Sequence, residues 1–367
     1  MRKKEQKILA YDPYIDNFGG GEKYFLDTLN ALLSKGFDIT LYSKWSTTNL
    51  DTNFRDRFGY GLYKPINIIY PRFGNKFITY VILIIKSIAF EYFLTVTNEF
   101  PQISLSKNSV VILQYPYIKK NSVSKIRKYL HYFFYDTVIT YSKYVKEIVK
   151  SKKIHSKDVV VVSPYIKSVE GLTSVSMKKN KIICVGRFIE DENSKGQQFA
   201  IDCFKKIVKN SKFKGLNLCL VGGANERSNN FIRKLKERSK GLDVRFYTNA
   251  SREILESLYL ESSVYWHLAG YNQDLNINPG RAEHFGITVL ESIQNSCVPL
   301  VFNAGGPVEI LGAENQDFFW NDIDQLATKT EKILMDNKYR VSLIRTSRKR
   351  LELYSQEKFS KKILSLF

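Results

Sequence analysis

Two glutamates eight positions apart, Glu283 and Glu291, bracket a Phe285-Gly286-Ile287-Thr288 step in the stretch RAEHFGITVLE. A buried-looking run, Cys297-Val-Pro-Leu-Val-Phe, and then Asn303-Ala-Gly305-Gly306-Pro-Val-Glu309 follow it. The Phe-Gly-Ile step reads as the point where a loop becomes a helix. A helix start presents unpaired backbone N–H groups and the positive end of the peptide dipoles, which suits a diphosphate, and Gly286 lets a ligand come close to the backbone. Glu291 then lies about 7.5 Å along the axis from Gly286, at about 1.5 Å per residue. Carboxylates at both places could accept hydrogen bonds from hydroxyls at the two ends of a sugar nucleotide. A lone helical glutamate is more often a solvated side chain, so the combination carries the reading.

The elements that must hold these residues alternate. KILAYDPY, a helical stretch Glu22–Lys35, DITLYSK, INIIY, VVILQY, DTVITYS and VVVVSPY come first. The small and polar run SVEGLTSVSMKKN interrupts them, and the alternation restarts with KIICVGRF, LNLCLVGG, VRFYT, SVYWHLAG and VPLVF. Short β-branched runs separated by helical patterns predict parallel strands with helical crossovers. The expected organisation is an α/β chain with a first Rossmann-like domain over 1–168, a linker over 169–179 and a second Rossmann-like domain over 180–345. A C-terminal helix over 346–367 would return to the first domain. Ligands of open parallel sheets bind at the carboxyl ends of strands, so two such doubly wound domains would face each other across a cleft.

Composition narrows the partners. The chain has 367 residues with 56 Lys+Arg against 36 Asp+Glu, a net charge of +20, and the first 170 residues carry +12 of it. Such a balance favours anionic partners: nucleotide phosphates, a lipid pyrophosphate, a membrane surface or nucleic acid. The basic residues are dispersed and no nucleic-acid module stands out, so nucleic acid is not expected. The four cysteines show no metal-ligand spacing and fit a reducing compartment. The start, MRKKEQKILAYDPY, has too short an apolar stretch for a secretory signal, so a cytoplasmic location is expected. Phe77–Thr95 is the most apolar segment, but Lys86 and Glu91 break it below the roughly 20 residues of a spanning helix. It reads as a buried or surface-docking helix that could bring the protein to the cytoplasmic face of an anionic membrane.

The Glu-His-Phe-Gly-Ile motif, the second glutamate and the following glycine pair resemble glycosyltransferase family 4, retaining enzymes of the two-domain GT-B type, and the resemblance spans most of the chain. It implies that Glu283 binds hydroxyls of the transferred sugar, that Glu291 binds the donor ribose and that backbone amides from Phe285 to Thr288 hold the donor. His284 joins them as a motif residue, although a lone histidine is more often structural. Gly186-Arg187-Phe188, at a strand end, and Lys195-Gly196, opening a helix, resemble the family's basic pair on the donor diphosphate. Fixed cations there would take up the charge of the leaving nucleoside diphosphate without a metal. The loop Phe18-Gly19-Gly20-Gly21-Glu22-Lys23 could equally be a tight turn or a phosphate cradle, and the family places such a loop near donor phosphates and acceptor. Gln114 stands where the family often has histidine in the acceptor half.

The resemblance implies a retaining hexosyltransferase, with mannose or glucose favoured, taking a UDP- or GDP-sugar as co-substrate and needing no other cofactor. A polyprenyl-linked or polysaccharide glycan is the expected acceptor. The longer loop Tyr271–Ala282 would close over the donor sugar. The acidic triplet Glu190-Asp191-Glu192 reads as a solvated loop, not a metal site. The competing readings are a sugar-nucleotide epimerase or phosphorylase on the same fold and, suggested by charge alone, a nucleic-acid-binding protein.

Overall fold

The computed structural model describes every residue except 1–5, 18, 71–75, 116–129, 154–156, 168–177 and 191–193. The expected linker therefore lies almost wholly outside the described residues. The chain divides into two compact units, Met1–Pro164 together with Gln356–Phe367, and Tyr165–Ser355.

In the first unit seven parallel strands run in the order β3-β2-β1-β4-β5-β6-β7. They are β1 (Lys7–Tyr11), β2 (Asp38–Tyr42), β3 (Asn67–Ile69), β4 (Tyr92–Thr97), β5 (Asn108–Leu113), β6 (Thr137–Thr140) and β7 (Asp158–Val161). The chain starts in the middle of the sheet, winds outward through β2 and β3, and crosses back to β4 on the other side of β1. Central strands are apolar on both faces, as a sheet covered by helices requires: Ile8, Leu9, Phe93, Leu94, Val111 and Ile112 are all fully buried.

One expectation fails here. Phe77–Thr95 is not a single helix but the helix Lys76–Ser87 followed by strand β4. Ser87 marks the break: its hydroxyl donates to the Ile84 carbonyl and accepts from the Leu105 amide. YFLTVT beyond it then pairs with β1 and β5 and buries both faces. The C-terminal helix Gln356–Leu364 lies in this unit, with Phe359 packed edge-on against Tyr24 of the helix Gly20–Leu33 at 5.3 Å and the Tyr92 hydroxyl bonded to the Phe367 carbonyl.

The second unit holds six parallel strands in the order β10-β9-β8-β11-β12-β13. They are β8 (Lys179–Val185), β9 (Asn217–Gly222), β10 (Val244–Thr248), β11 (Ser262–His267), β12 (Val298–Phe302) and β13 (Phe319–Trp320). The strand order reverses between β8 and β11, so the loops that leave their carboxyl ends diverge and open a crevice between them. The core is fixed by buried Trp266, whose indole donates to Thr330 Oγ1 at 2.9 Å, and by Trp320. All four cysteines are free and buried, and burial pushes the Cys184 and Cys297 thiols up to about 12. Among the described residues no helix is long and apolar enough to cross a membrane.

Candidate active site

The loops after β8, β11 and β12 meet at the carboxyl edge of the second sheet. Beyond β8 the chain turns through Gly186-Arg187-Phe188, and Gln197, buried in the first turn of the helix Gln197–Val208, donates to the carbonyls of Gly186 and Arg187 at 3.1 and 3.0 Å. The same turn carries Lys195 across Gly186, where a β-carbon would collide with the lysine stem. Lys195 Nζ thereby reaches Glu283 Oε2 at 2.7 Å. From the end of β11, His267 Nε2 approaches the same oxygen at 3.3 Å. Burial pushes the Glu283 carboxyl up, but Lys195 and then His267 outweigh it and hold the group well below the usual carboxylate range. The site therefore keeps a charged carboxylate in a partly buried setting.

Glu283 owes its position to the glycine pair after β12. Gly306 N–H donates to the Glu283 carbonyl at 2.8 Å. A β-carbon on Gly305 would strike that carbonyl, and one on Gly306 would strike the backbone of His284 and Phe285. Only glycines let β12's loop lie this close beneath the motif. Gly286, with φ of 95°, then starts the helix Ile287–Gln294 without any side chain capping its first N–H groups. The helix thus begins at Gly286, where the sequence places its start, with its first N–H groups left uncapped.

Glu291 faces elsewhere. Its Oε1 accepts from Arg252 Nη1 at 2.9 Å, and Tyr259 OH approaches Oε2 at 3.4 Å. Arg252 also donates to Glu256 at 2.7 Å, so the helix Arg252–Glu261 braces the second glutamate. Thr288 Oγ1 pairs with the Tyr265 hydroxyl at 2.7 Å. His284 Nε2 is bonded to the Gly280 carbonyl at 2.8 Å, and the Phe285 ring is buried against Tyr354, so these two side chains hold the loop. Arg187 is exposed, and among the described residues its guanidinium makes no hydrogen bond or ion pair, its carbonyl alone being bonded, to Gln197. Among the described residues Lys195 is paired with Glu283, whereas the Arg187 guanidinium is not paired.

The loop Tyr271–Ala282 is anchored by the Tyr271 ring against Phe302 and Trp320, and its tip presents Ile277 to solvent. Glu190 pairs with Lys234 on the surface, while Asp191 and Glu192 lie outside the described residues. Among the described residues no group of three or more His, Cys, Asp or Glu side chains is placed to hold a metal ion.

In the first unit the carboxyl edge gathers a second cluster. Gly19 caps the helix Gly20–Leu33 and donates to Glu22 Oε2 at 2.7 Å, and Gly21 is packed so closely on the Gln114 amide that a β-carbon would overlap it. Phe18 lies outside the described residues. Beside them Asp12, just beyond β1, is buried with Oδ1 accepting from the Tyr14 amide and Oδ2 unpartnered. Burial, against that hydrogen bond and with Glu22 and Asp16 adding to it, pushes Asp12 up to about 7. Sequence reasoning missed Asp12, Arg252 and His267. His267 could have been found as the last residue of a strand whose loop leads to the motif, where site residues of open sheets gather.

Residues 173–350 match the family model described as Glycosyl transferases group 1. A Dictyostelium discoideum GDP-Man:Man(3)GlcNAc(2)-PP-Dol alpha-1,2-mannosyltransferase is 26% identical over 227 residues, covering 58% of this chain and 43% of that protein. The Mus musculus protein of the same name is 23% identical over 380 residues, covering 83% of this chain and 74% of its own length. The chain thus spans less than half the length of the amoebal relative. Among solved structures, a Rickettsia africae glycosyltransferase superposes with a TM-score of 0.71 at 18% identity over 99% of this chain and 98% of that one. Anabaena HepE in complex with UDP gives 0.73 at 14% identity over 98% and 99%. The architecture is that of the GT-B glycosyltransferases, two Rossmann-like parallel sheets in one α/β chain, and the match to the group 1 model lies over the second of them.

Proposed function

We propose that the chain is a retaining hexosyltransferase of family 4 that moves mannose, in preference to glucose, from a nucleotide-diphosphate donor to a lipid-linked glycan. The observation that carries this reading is the Glu283 carboxylate held charged between Lys195 and His267, with the uncapped Gly286 helix start beside it. Glu283 accepts hydroxyls of the donor sugar, the helix-start amides from Phe285 to Thr288 and Arg187 take the diphosphate, and Glu291, braced by Arg252, accepts the ribose hydroxyls. The names of the two relatives favour GDP over UDP and a dolichyl-diphosphate glycan over a free polysaccharide.

In the reaction the bond between the anomeric carbon and the diphosphate oxygen breaks, and the acceptor oxygen bonds to that carbon on the same face. The acceptor proton passes to the departing phosphate oxygen. Arg187, Lys195 and the helix dipole stabilise the charge that develops on the leaving group, so transfer proceeds without a metal. Gly19, Gly20, Gly21 and Gln114 belong to the acceptor side, and the Tyr271–Ala282 loop covers the donor sugar.

The test is thermal stabilisation and hydrolysis of GDP-mannose, GDP-glucose, UDP-glucose and UDP-mannose by the purified chain in the presence of a chelator. GDP-mannose is expected to stabilise the protein most and to be hydrolysed slowly, with both effects lost in Glu283→Gln. Stabilisation by no sugar nucleotide would end the transferase reading. A requirement for added divalent metal would end the metal-free one.

A further inference from the structure

The reversal of strand order that opens the crevice of the second sheet between β8 and β11 has a counterpart in the first sheet, between β1 and β4. The chain leaves β1 for β2 on one side and returns to β4 on the other, so the loops beyond their carboxyl ends diverge there as well. Asp12 directly follows β1. It is 3% exposed, its Oδ1 accepts from the Tyr14 amide at 2.8 Å, and its Oδ2 has no hydrogen-bond partner among the described residues.

The groups around it form hydrogen bonds without supplying a cation. Gln114 follows β5, and its side-chain amide lies against Gly21 in the first turn of the helix Gly20–Leu33. Tyr141 follows β6, its ring 4.6 Å from that of Tyr24 and its hydroxyl beside Gln114. Burial first, then Glu22 and Asp12, push that hydroxyl well above its usual range, so it stays a neutral phenol. The first N–H groups of the helix receive no side-chain cap.

A buried carboxyl with one oxygen unpartnered and acids for neighbours costs stability, because neither a hydrogen bond nor a cation offsets its desolvation. Such a group calls for a role that the folded chain alone does not supply. A carboxyl, an amide, a phenol and backbone N–H groups are together suited to sugar hydroxyls, each of which both donates and accepts. A metal ion would need more oxygen ligands, and among the described residues no group of three His, Cys, Asp or Glu side chains is placed to hold one.

We infer that Asp12 binds a hydroxyl of the acceptor sugar through Oδ2, completing a polyol site with Gln114, Tyr141 and the helix-start amides of the first unit. The inference rests on the transferase reading for the sugar being an acceptor. Saccharide binding is measured without donor, so each reading can fail alone.

The experiment is saturation-transfer-difference NMR of the full chain with methyl α-D-mannopyranoside and methyl α-D-glucopyranoside, in wild type and in Glu283→Gln, which disables the donor-sugar contact of the second unit. At least one glycoside is expected to receive saturation in both proteins. Asp12→Ala should weaken its binding by about tenfold, the worth of one hydrogen bond to such a group. Asp12→Asn, which donates and accepts from the same shape, should stay within about threefold of wild type. No saturation of either glycoside in wild type would overturn the inference, as would equal saturation in Asp12→Ala. Stabilisation of wild type by magnesium or calcium chloride that Asp12→Ala abolishes would assign the carboxyl to a cation instead. A wild type that binds glycoside through Asp12 but is not stabilised by GDP-mannose would fault the transferase reading alone. Should Asp12→Ala fail to fold, wild type is compared with Asp12→Asn between about pH 6 and about pH 8. Glycoside affinity should change by about threefold or more in wild type, as Asp12 titrates among Glu22, Asp16, Tyr11 and Tyr141, and stay flat in the variant. Parallel profiles would count against Asp12.

Discussion

Each unit places a carboxylate at the carboxyl edge of its parallel sheet, and the two have opposite electrostatic fates. Glu283 sits between Lys195 and His267 and is held well below the ordinary carboxylate range despite its burial. Asp12 is buried, is paired with no cation among the described residues, has Glu22 and Asp16 nearby, and is pushed up to about 7. Burial alone favours the neutral acid; burial with a matched cation preserves the charge. The second unit thus presents a fixed negative charge beside the Gly286 helix start, whereas the first unit's carboxyl is pushed up to about 7.

The sharpest way to break this contrast is to remove the charge of Glu283. Glu283→Gln leaves Lys195 and His267 without their shared partner, and turnover measured as nucleotide release should fall by about a hundredfold or more. Lys195→Met should cost a similar factor, and the double variant little beyond either single one, because the pair acts as a unit. Equal loss in an added, independent manner would show that the two residues act separately.

Arg187→Ala comes next. This side chain is exposed and supports no neighbour, so the unfolding midpoint should stay within error while kcat drops by roughly tenfold to a hundredfold through the loss of one cation on the leaving group. An unchanged kcat would remove Arg187 from the site.

The pH dependence of stability tests the contrast directly. Because the folded-state value of Asp12 lies above its unfolded value of about 4, its protonated form is favoured by folding, and stability falls as pH rises from about 4 to about 7. For Glu283 the folded value lies below the unfolded one, so its contribution is present above about pH 4 and is lost as pH falls further. Asp12→Asn should flatten the neutral limb of a midpoint-against-pH curve and stabilise the protein at pH 8, by at most a few kcal/mol. Glu283→Gln should leave that limb in place and alter only the acid one. The reverse pattern would refute the assignment.

The smallest effect is expected from Arg252→Ala. Glu291 then keeps its charge but loses its brace, and the donor KM should rise by about threefold to tenfold with little change in kcat, as for a partly exposed ion pair. A change confined to kcat would place Arg252 in the chemistry.

Much of this was legible beforehand. The alternation of β-branched runs and helical patterns foretold two parallel sheets, because a strand covered on both faces must be apolar throughout. Yet Phe77–Thr95 was misread as one helix: both a buried helix and a buried strand demand an unbroken apolar run, and composition cannot divide them. His284, inside the motif, drew attention, while His267, outside it, is the histidine that touches Glu283.

By itself, the sequence determined the local devices: the glycine that opens the helix at Gly286, the glutamates on either side of it and the glycine pair after β12. All act through backbone geometry over a few neighbouring residues. The tertiary structure alone decided which charges survive. Lys195 stands 88 positions from Glu283, and Arg252 39 from Glu291, so their pairing depends on which strands lie side by side. Asp12 directly follows β1 and Glu283 directly precedes the Gly286 helix start, and what separates their protonation states is the Lys195 cation that folding brings to Glu283 from 88 positions away.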